Sequence, residues 1–193
     1  MTAMWKSILA IIVFGFSLAA CAVPGTATSQ TPSAQSSTGT LKFSAPAEWV
    51  AEKATSSMRV AQYKLPKVAG DEEDGSLVIY YFGQGQGGTA AANIERWVNQ
   101  MKQPDGGSSK GRAKESSQII NGLKVDTVDI SGTYTAEMAP GSGTFHNKPN
   151  FRMRAAVVET PKGSYFIKLV GPEKTINNQD QPFATFLKSL EFK

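Results

Sequence analysis

The feature of this sequence that most constrains its fold is a pair of apolar segments, residues 151–159 and 164–171, which flank a turn at residues 161–163. Pairing the segments outward from the turn gives an antiparallel hairpin. The predicted cross-strand pairs are Val157–Phe166, Ala155–Lys168 and Met153–Val170 on one face, and Val158–Tyr165, Ala156–Ile167 and Arg154–Leu169 on the other. Both faces are therefore largely apolar, and each needs a layer packed against it.

Further segments predict more strands of the same sheet. Residues 76–82 are apolar, aromatic and β-branched, which is typical of a central strand buried on both faces. Asn121-Gly122 lies between two apolar runs and favours a type I′ hairpin turn, because both central residues of that turn take positive φ. The alternation of the second run slips between Val125 and Val128, which predicts a β-bulge. Shorter strands are expected at residues 41–44 and 58–65.

Two segments have the spacing of amphipathic helices, one with Thr89 as its expected N-cap and one beginning near Pro182. Their apolar faces consist of Ile94, Trp97, Val98 and Met101, and of Phe183, Phe186, Leu187 and Leu190. The sequence thus predicts an α+β domain: an antiparallel sheet covered by helices on both faces, an α/β/α sandwich. The hairpins argue against a purely parallel, doubly wound sheet.

The amino-terminal sequence has the layout of a secretory signal peptide, with Lys6 before a short apolar run at residues 8–18. The sequence Leu-Ala-Ala-Cys ending at Cys21 resembles the bacterial lipobox. That resemblance implies removal of residues 1–20, lipid attachment to the Cys21 thiol and acylation of the new amino terminus, which anchors the protein to a membrane. Ala22, where an aspartate tends to retain lipoproteins at the inner membrane, favours the outer membrane if the host has one.

Composition separates a tether from a domain. Residues 21–40 lack charged side chains and are rich in Ser, Thr and Pro, which is typical of a flexible linker. Residues 41–193 form one domain of ordinary size. Cys21 is the one cysteine, so this domain contains no disulfide. A net charge of +4 without dense Lys/Arg clusters argues against nucleic acid as a partner.

The domain resembles the PsbP-like fold family, which includes the extrinsic photosystem subunit and a yeast Ran-binding import factor. The matching features are Pro46 and Trp49 near the opening strand, the strand around Met58-Arg59, the strand-to-helix segment at residues 80–101, the closing hairpin and the terminal Phe/Leu helix. Because known members mostly bind or scaffold other proteins, the resemblance implies a non-enzymatic binding or assembly module with an envelope protein partner. It supplies no ligand set and no cofactor.

Residues 83–88 contain the spacing Gly-x-Gly-x-x-Gly between the predicted strand and helix, where a dinucleotide-binding turn would lie. No apolar strand follows the helix, and Asp105 lies in a Pro-Asp-Gly-Gly turn, so a tight connection is favoured. Exposed amides here would still suit an anionic group, which gives an alternative function in small-ligand or ion binding. The candidate ligand-binding residues of the turn are Gln84, Gly85, Gln86, Gly87 and Gly88.

The acidic run at residues 71–74 contains Asp71, Glu73 and Asp74, which are candidate metal ligands. Their spacing differs from that of an EF-hand loop, so a solvated acidic loop is the favoured interpretation.

Arg152 and Arg154 are predicted on one face of their strand, and Lys168 on the opposite face. The two arginines are expected either to pair with acids of a covering helix, which we favour, or to bind an anionic partner. His146, the one histidine, is expected to be an exposed loop residue, and the sequence shows no catalytic set. Trp49 and Trp97 are expected in the core.

Overall fold

The computed structural model describes residues 39–193. The predicted signal peptide, the lipidation site Cys21 and most of the predicted tether lie outside these residues. No helix in the described part of the chain has the length and apolar character needed to cross a bilayer.

An antiparallel sheet of eight strands dominates the domain. Its strands are β2 (Val50–Glu52), β3 (Arg59–Leu65), β4 (Gly75–Tyr81), β5 (Met101–Lys102), β6 (Lys114–Ile120), β7 (Leu123–Tyr134), β8 (Lys148–Thr160) and β9 (Gly163–Pro172). The spatial order is β2-β3-β4-β9-β8-β7, and β5 and β6 pair with opposite ends of β7. Two further strands, β1 (Leu41–Lys42) and β10 (Glu191–Phe192), form a separate antiparallel pair.

Helices are few and short. They are α1 (Ala90–Asn99), α2 (Glu173–Asn177) and α3 (Asp180–Lys188), with one 3₁₀ turn at Ser109–Gly111. The predicted helices correspond to α1 and α3, whereas α2 was not predicted. The α+β class with an antiparallel sheet is confirmed.

The closing hairpin has the predicted register. All six cross-strand pairs expected between β8 and β9 are present, from Val158–Tyr165 near the turn to Met153–Val170. Because side chains alternate along each strand, this register sends neighbouring residues into two different core clusters. One cluster contains Val158 and Ile167, and the other contains Val157 and Phe166.

The two longer helices contribute to different clusters. α3 places Phe183, Phe186 and Leu187 in the first cluster, and α1 places Ile94, Trp97 and Val98 in the second. α1 packs against β7, β8 and the 3₁₀ turn at Ser109–Gly111. On the part of the sheet formed by β3 and β4, side chains such as Arg59 and Tyr80 keep partial exposure.

The predicted bulge between Val125 and Val128 is wrong. β7 pairs continuously with β8 from Lys124 to Gly132, and the irregularity lies between Gly132 and Tyr134. The alternation slips because β7 is apolar on both faces: Val125 lies in the first cluster, and Val128 lies in the second. The predicted turn at Asn121-Gly122 is confirmed, since both residues have positive φ and join β6 to β7.

The domain begins slightly before the predicted end of the tether. Thr40 exchanges backbone hydrogen bonds with Lys193, and the position of a Gly39 Cβ would lie 2.7 Å from the Phe192 ring. The last two residues assigned to the tether therefore lie against the carboxyl-terminal strand.

Candidate functional site

The glycine-rich segment is a closely packed connection from β4 to α1. Thr89 is the N-cap of α1, since its hydroxyl oxygen accepts from the Ala92 amide at 3.2 Å. A Cβ at Gly87, which has φ +86°, would lie 2.5 Å from the Phe166 ring. Gly163 in the β8–β9 turn packs against the backbone of the same segment. Close packing therefore accounts for a glycine at position 87. Gln84, Gly85 and Gln86 remain exposed.

Three carboxylates of the acidic loop each contact a different part of the domain. Asp71 accepts hydrogen bonds from the Thr175 amide at 2.8 Å and from its hydroxyl at 2.6 Å. Glu73 pairs with Lys148, and Asp74 accepts from the Lys67 amide at 2.9 Å. The three carboxylates thus face different partners, and no group of three metal-binding side chains occurs within residues 39–193.

Arg152 and Arg154 form an ion-pair cluster with two acids. Arg152 donates to Asp129 on β7 at 2.8 Å, and its guanidinium lies 2.9 Å from Asp180 in the first turn of α3. Arg154 also pairs with Asp180, at 2.8 Å, and lies over the Phe183 ring at 4.9 Å. Both arginines thus pair with Asp180 of α3, in agreement with the favoured expectation that they pair with acids of a covering helix.

Lys168 has a different environment, which the sequence did not single out as a site. Its ammonium donates to Gln100 Oε1 at 2.6 Å and to Tyr134 Oη at 3.0 Å, and both acceptors are neutral. Among the described residues, no carboxylate oxygen lies within 4.0 Å of it. Burial, with a smaller effect of the nearby Arg96 charge, lowers the pKa of Lys168 to about 8.

Arg96 is oriented by the glycine-rich connection through Asn93. The Asn93 amide group is buried and donates to the carbonyl oxygens of Gly87, at 2.8 Å, and Thr89, at 2.9 Å. Its remaining oxygen accepts from Arg96. The turn therefore acts on this region indirectly, because it fixes the residue that holds the Arg96 guanidinium.

A third cation, Arg59, lies on the same face of the sheet. Its guanidinium is 5.6 Å from the centre of the Tyr80 ring. Tyr80 is opposite Arg59 in the β3–β4 register, and Val78, on the same face as Tyr80, is opposite Lys168. We define the basic face as Arg59, Tyr80, Arg96, Tyr134 and Lys168. Phe82, an exposed apolar side chain, stacks on Tyr80, and two more exposed apolar residues, Met58 and Val60, flank Arg59 in the sequence.

His146 adjoins the basic face and is not the exposed residue that was expected. It is half-buried, and its ring stacks on Tyr134 with a centroid distance of 5.3 Å. Its Nδ1 atom is buried and has no hydrogen-bond partner among the described residues. Burial, reinforced by the positive charge of Lys148, lowers the pKa of His146. The neutral ring therefore belongs to the packing around Tyr134.

The one sequence signal for the basic face was weak. Lys168 interrupts an apolar strand that was predicted to be covered on both faces, and its predicted neighbour is Ala155. A lysine in such a strand must find acceptors or an opposite charge. Its acceptors come from α1 and β7, which are distant in sequence.

Comparisons with known proteins show the fold and no family. No protein-family model matches the chain. No curated protein matches it. Among solved structures, LpqN of Mycobacterium tuberculosis, described as involved in cell envelope biogenesis, aligns with a TM-score of 0.52 at 9% identity, over 80% of this chain and 84% of LpqN. The likeness to LpqN is one of fold.

A second solved structure, a protein of unknown function from Pseudomonas aeruginosa, aligns with a TM-score of 0.44 at 13% identity, over 75% of this chain and 96% of that protein.

Proposed function

We propose that this protein is a lipoprotein of the bacterial cell envelope, anchored through Cys21, whose domain is a non-enzymatic binding or assembly module. The lipobox-like sequence and the fold shared with LpqN, itself an envelope biogenesis protein, support this proposal. Ala22 favours anchoring at the outer membrane of a diderm host. We also propose that the domain has the PsbP-like layered arrangement, with α1 and α3 on opposite faces of the sheet.

The observation that carries the binding role is the basic face. It combines three cations that lack carboxylate partners among the described residues with exposed apolar side chains. Surfaces that mix arginine, aromatic and apolar side chains are typical of recognition sites. The groups that the sequence offers for chemistry, His146 and the acidic loop, are used in packing and in structural contacts, which favours binding over catalysis.

A second candidate function is small-ligand binding at the glycine-rich turn. Gln84, Gly85 and Gln86 remain exposed there, beside the amino end of α1. This candidate places the ligand at the turn itself, whereas the favoured proposal gives the turn only a supporting role through Asn93.

Site-specific photocrosslinking in native membranes tests the favoured proposal. A photoreactive amino acid replaces Val60, which is 46% exposed and follows Arg59 in the sequence, or Ile119, which is 69% exposed on β6 and serves as the matched control. We expect one discrete adduct from position 60 and none from position 119. The adduct should disappear when Arg59 and Arg96 are both changed to glutamine. Equal labelling from both positions, or no adduct from position 60, would contradict the proposal.

A further inference from the structure

We propose that Lys168, Arg96 and Tyr134 form a subsite for a phosphate group carried by the ligand of the basic face. This inference rests on the proposed function, because it assigns the chemistry that the binding module recognises. The subsite lies where the end of α1 meets β7 and β9, and it is separate from the glycine-rich turn and from the acidic loop.

The ammonium of Lys168 is ready to accept an anion. A protonated lysine has three N–H donors, and the described contacts use two of them, on Gln100 and Tyr134. Both acceptors are neutral, so the positive charge is solvated by dipoles and not balanced by a carboxylate. A partly buried cation in this situation is costly for the folded state, and an incoming anion would remove that cost.

Tyr134 supplies a second donor to the same place. Its oxygen accepts from Lys168, which leaves its own hydroxyl hydrogen without an assigned acceptor among the described residues. Burial raises the pKa of Tyr134 to about 12, so the hydroxyl keeps that hydrogen at neutral pH.

Arg96 supplies a preoriented guanidinium. Arg96 and Gln100 are four residues apart at the end of α1, and so lie on the same side of it. Asn93 holds one side of the guanidinium through its side-chain oxygen. An anion that meets Lys168 from this side would therefore also meet Arg96 without a large ordering cost.

The charge favours phosphate over a single carboxylate. Lys168 and Arg96 together present two positive charges, and a phosphomonoester carries about −1.5 to −2 at neutral pH, with three acceptor oxygens. A carboxylate would leave one of the two charges unbalanced. The cleft of about 500 Å³ beside the amino end of α1 is less suited to an anion. Its lysine, Lys124, is already paired with the carboxylates of Asp126 and Glu159.

Thermal unfolding of the acylated full-length protein in a non-ionic detergent tests the subsite, with the buried Trp49 and Trp97 as fluorescent reporters. The probes are sodium phosphate, glycerol 3-phosphate, sodium acetate and micelles doped with phosphatidic acid, whose headgroup is a phosphomonoester, all at equal ionic strength. The variants are Lys168→Met, which removes the charge and keeps the length, and Lys188→Met as the control on exposed α3 sequence.

We expect phosphate to raise the Tm of the wild-type protein saturably, because a ligand that binds the folded state stabilises it. Lys168→Met should weaken phosphate binding by about tenfold to a hundredfold. It should also melt higher than wild type without phosphate, since the unbalanced charge is gone. Lys188→Met should respond like wild type.

The probes separate the sources of the phosphate group. A response to glycerol 3-phosphate supports a soluble ligand, and a response only to doped micelles supports a lipid headgroup. A response to acetate equal to that of phosphate overturns the phosphate assignment. An unchanged response of Lys168→Met, or no response of the wild type to any phosphate probe, overturns the subsite. A discrete crosslink from position 60 would still leave the proposed binding module standing.

Discussion

At the scale of single residues, Lys168 shows how one side chain can be kept at the expense of stability. Lys168 has Ala155 and Val78 as its neighbours on the two adjacent strands, so a methionine or leucine at this position would keep the strand register. The ammonium instead sits between Gln100 and Tyr134 with Arg96 nearby. Proteins accept such unfavourable charges mainly where function needs them.

The pH dependence of stability should reveal this charge. The folded-state pKa of Lys168 is about 8, below the ordinary value of 10.5, so between these values the unfolded chain binds more protons and stability rises with pH. The titratable groups near it are Arg96 from α1, Tyr134 from β7, whose hydroxyl accepts from the ammonium, and His146. Relative to Lys168→Met, the wild-type protein should gain about 3 kcal/mol of unfolding free energy from pH 8 to 10.5, measured by urea denaturation.

A parallel urea series on Lys188→Met controls for general alkaline effects. A difference between wild type and Lys168→Met that stays constant across this range would show that the folded-state pKa of Lys168 is ordinary.

His146 should lower stability in acid. Its folded-state pKa lies below the ordinary 6.5, so its contribution is complete above pH 6.5 and is lost as pH falls toward the folded-state pKa, where the unfolded chain takes up the proton first. Because the chain has one histidine, a single imidazole resonance reports its titration by NMR. We expect a midpoint below 6.5. A midpoint at or above that value would contradict the buried position beside Tyr134.

At the scale of elements, the sequence predicted what local patterns determine. The β8–β9 register followed from its turn, and α1 followed from apolar spacing and the Thr89 cap. Short elements such as β5 and α2 escaped prediction because two to five residues carry no period. The basic face escaped because it depends on where α1 lies over the sheet, which no local pattern encodes.

The connection before α1 offers a matched pair of glycine substitutions. Gly87→Ala should destabilise the domain by about 2 kcal/mol or more, since it combines left-handed backbone strain with a Cβ 2.5 Å from the Phe166 ring. Gly85→Ala, at φ +71° with nothing within 4 Å, should cost only the strain of about 1 kcal/mol. Chemical denaturation compares the two, and equal losses would show that contact with Phe166 is unimportant.

At the scale of the whole molecule, the folded domain and the proposed membrane attachment involve different parts of the chain. The structure describes residues 39–193, and the proposed attachment lies at Cys21, outside them. Folding of the domain does not depend on a disulfide, because Cys21 is the one cysteine. Loss of the lipid should therefore change location without changing the fold.

Replacing Cys21 by serine tests this separation. We expect the variant to lose lipid incorporation and to leave the membrane fraction, because no thiol remains to be modified. Its domain should keep the urea midpoint of the acylated protein measured in the same detergent. A Cys21→Ser protein that still labels with radioactive palmitate would contradict the proposed anchor.

The pairing of β1 with β10 also has a mechanical consequence. The chain joins the domain at Thr40, whose backbone bonds to Lys193 are the first of a short antiparallel ladder. A pull on the amino-terminal side directed away from β10 would break these hydrogen bonds one after another, starting with those between Thr40 and Lys193. Each residue peeled away would add about 3.3 Å of extended chain while the eight-stranded sheet stayed intact. Under such a pull, the short β1–β10 pair would open before force reaches the eight-stranded sheet.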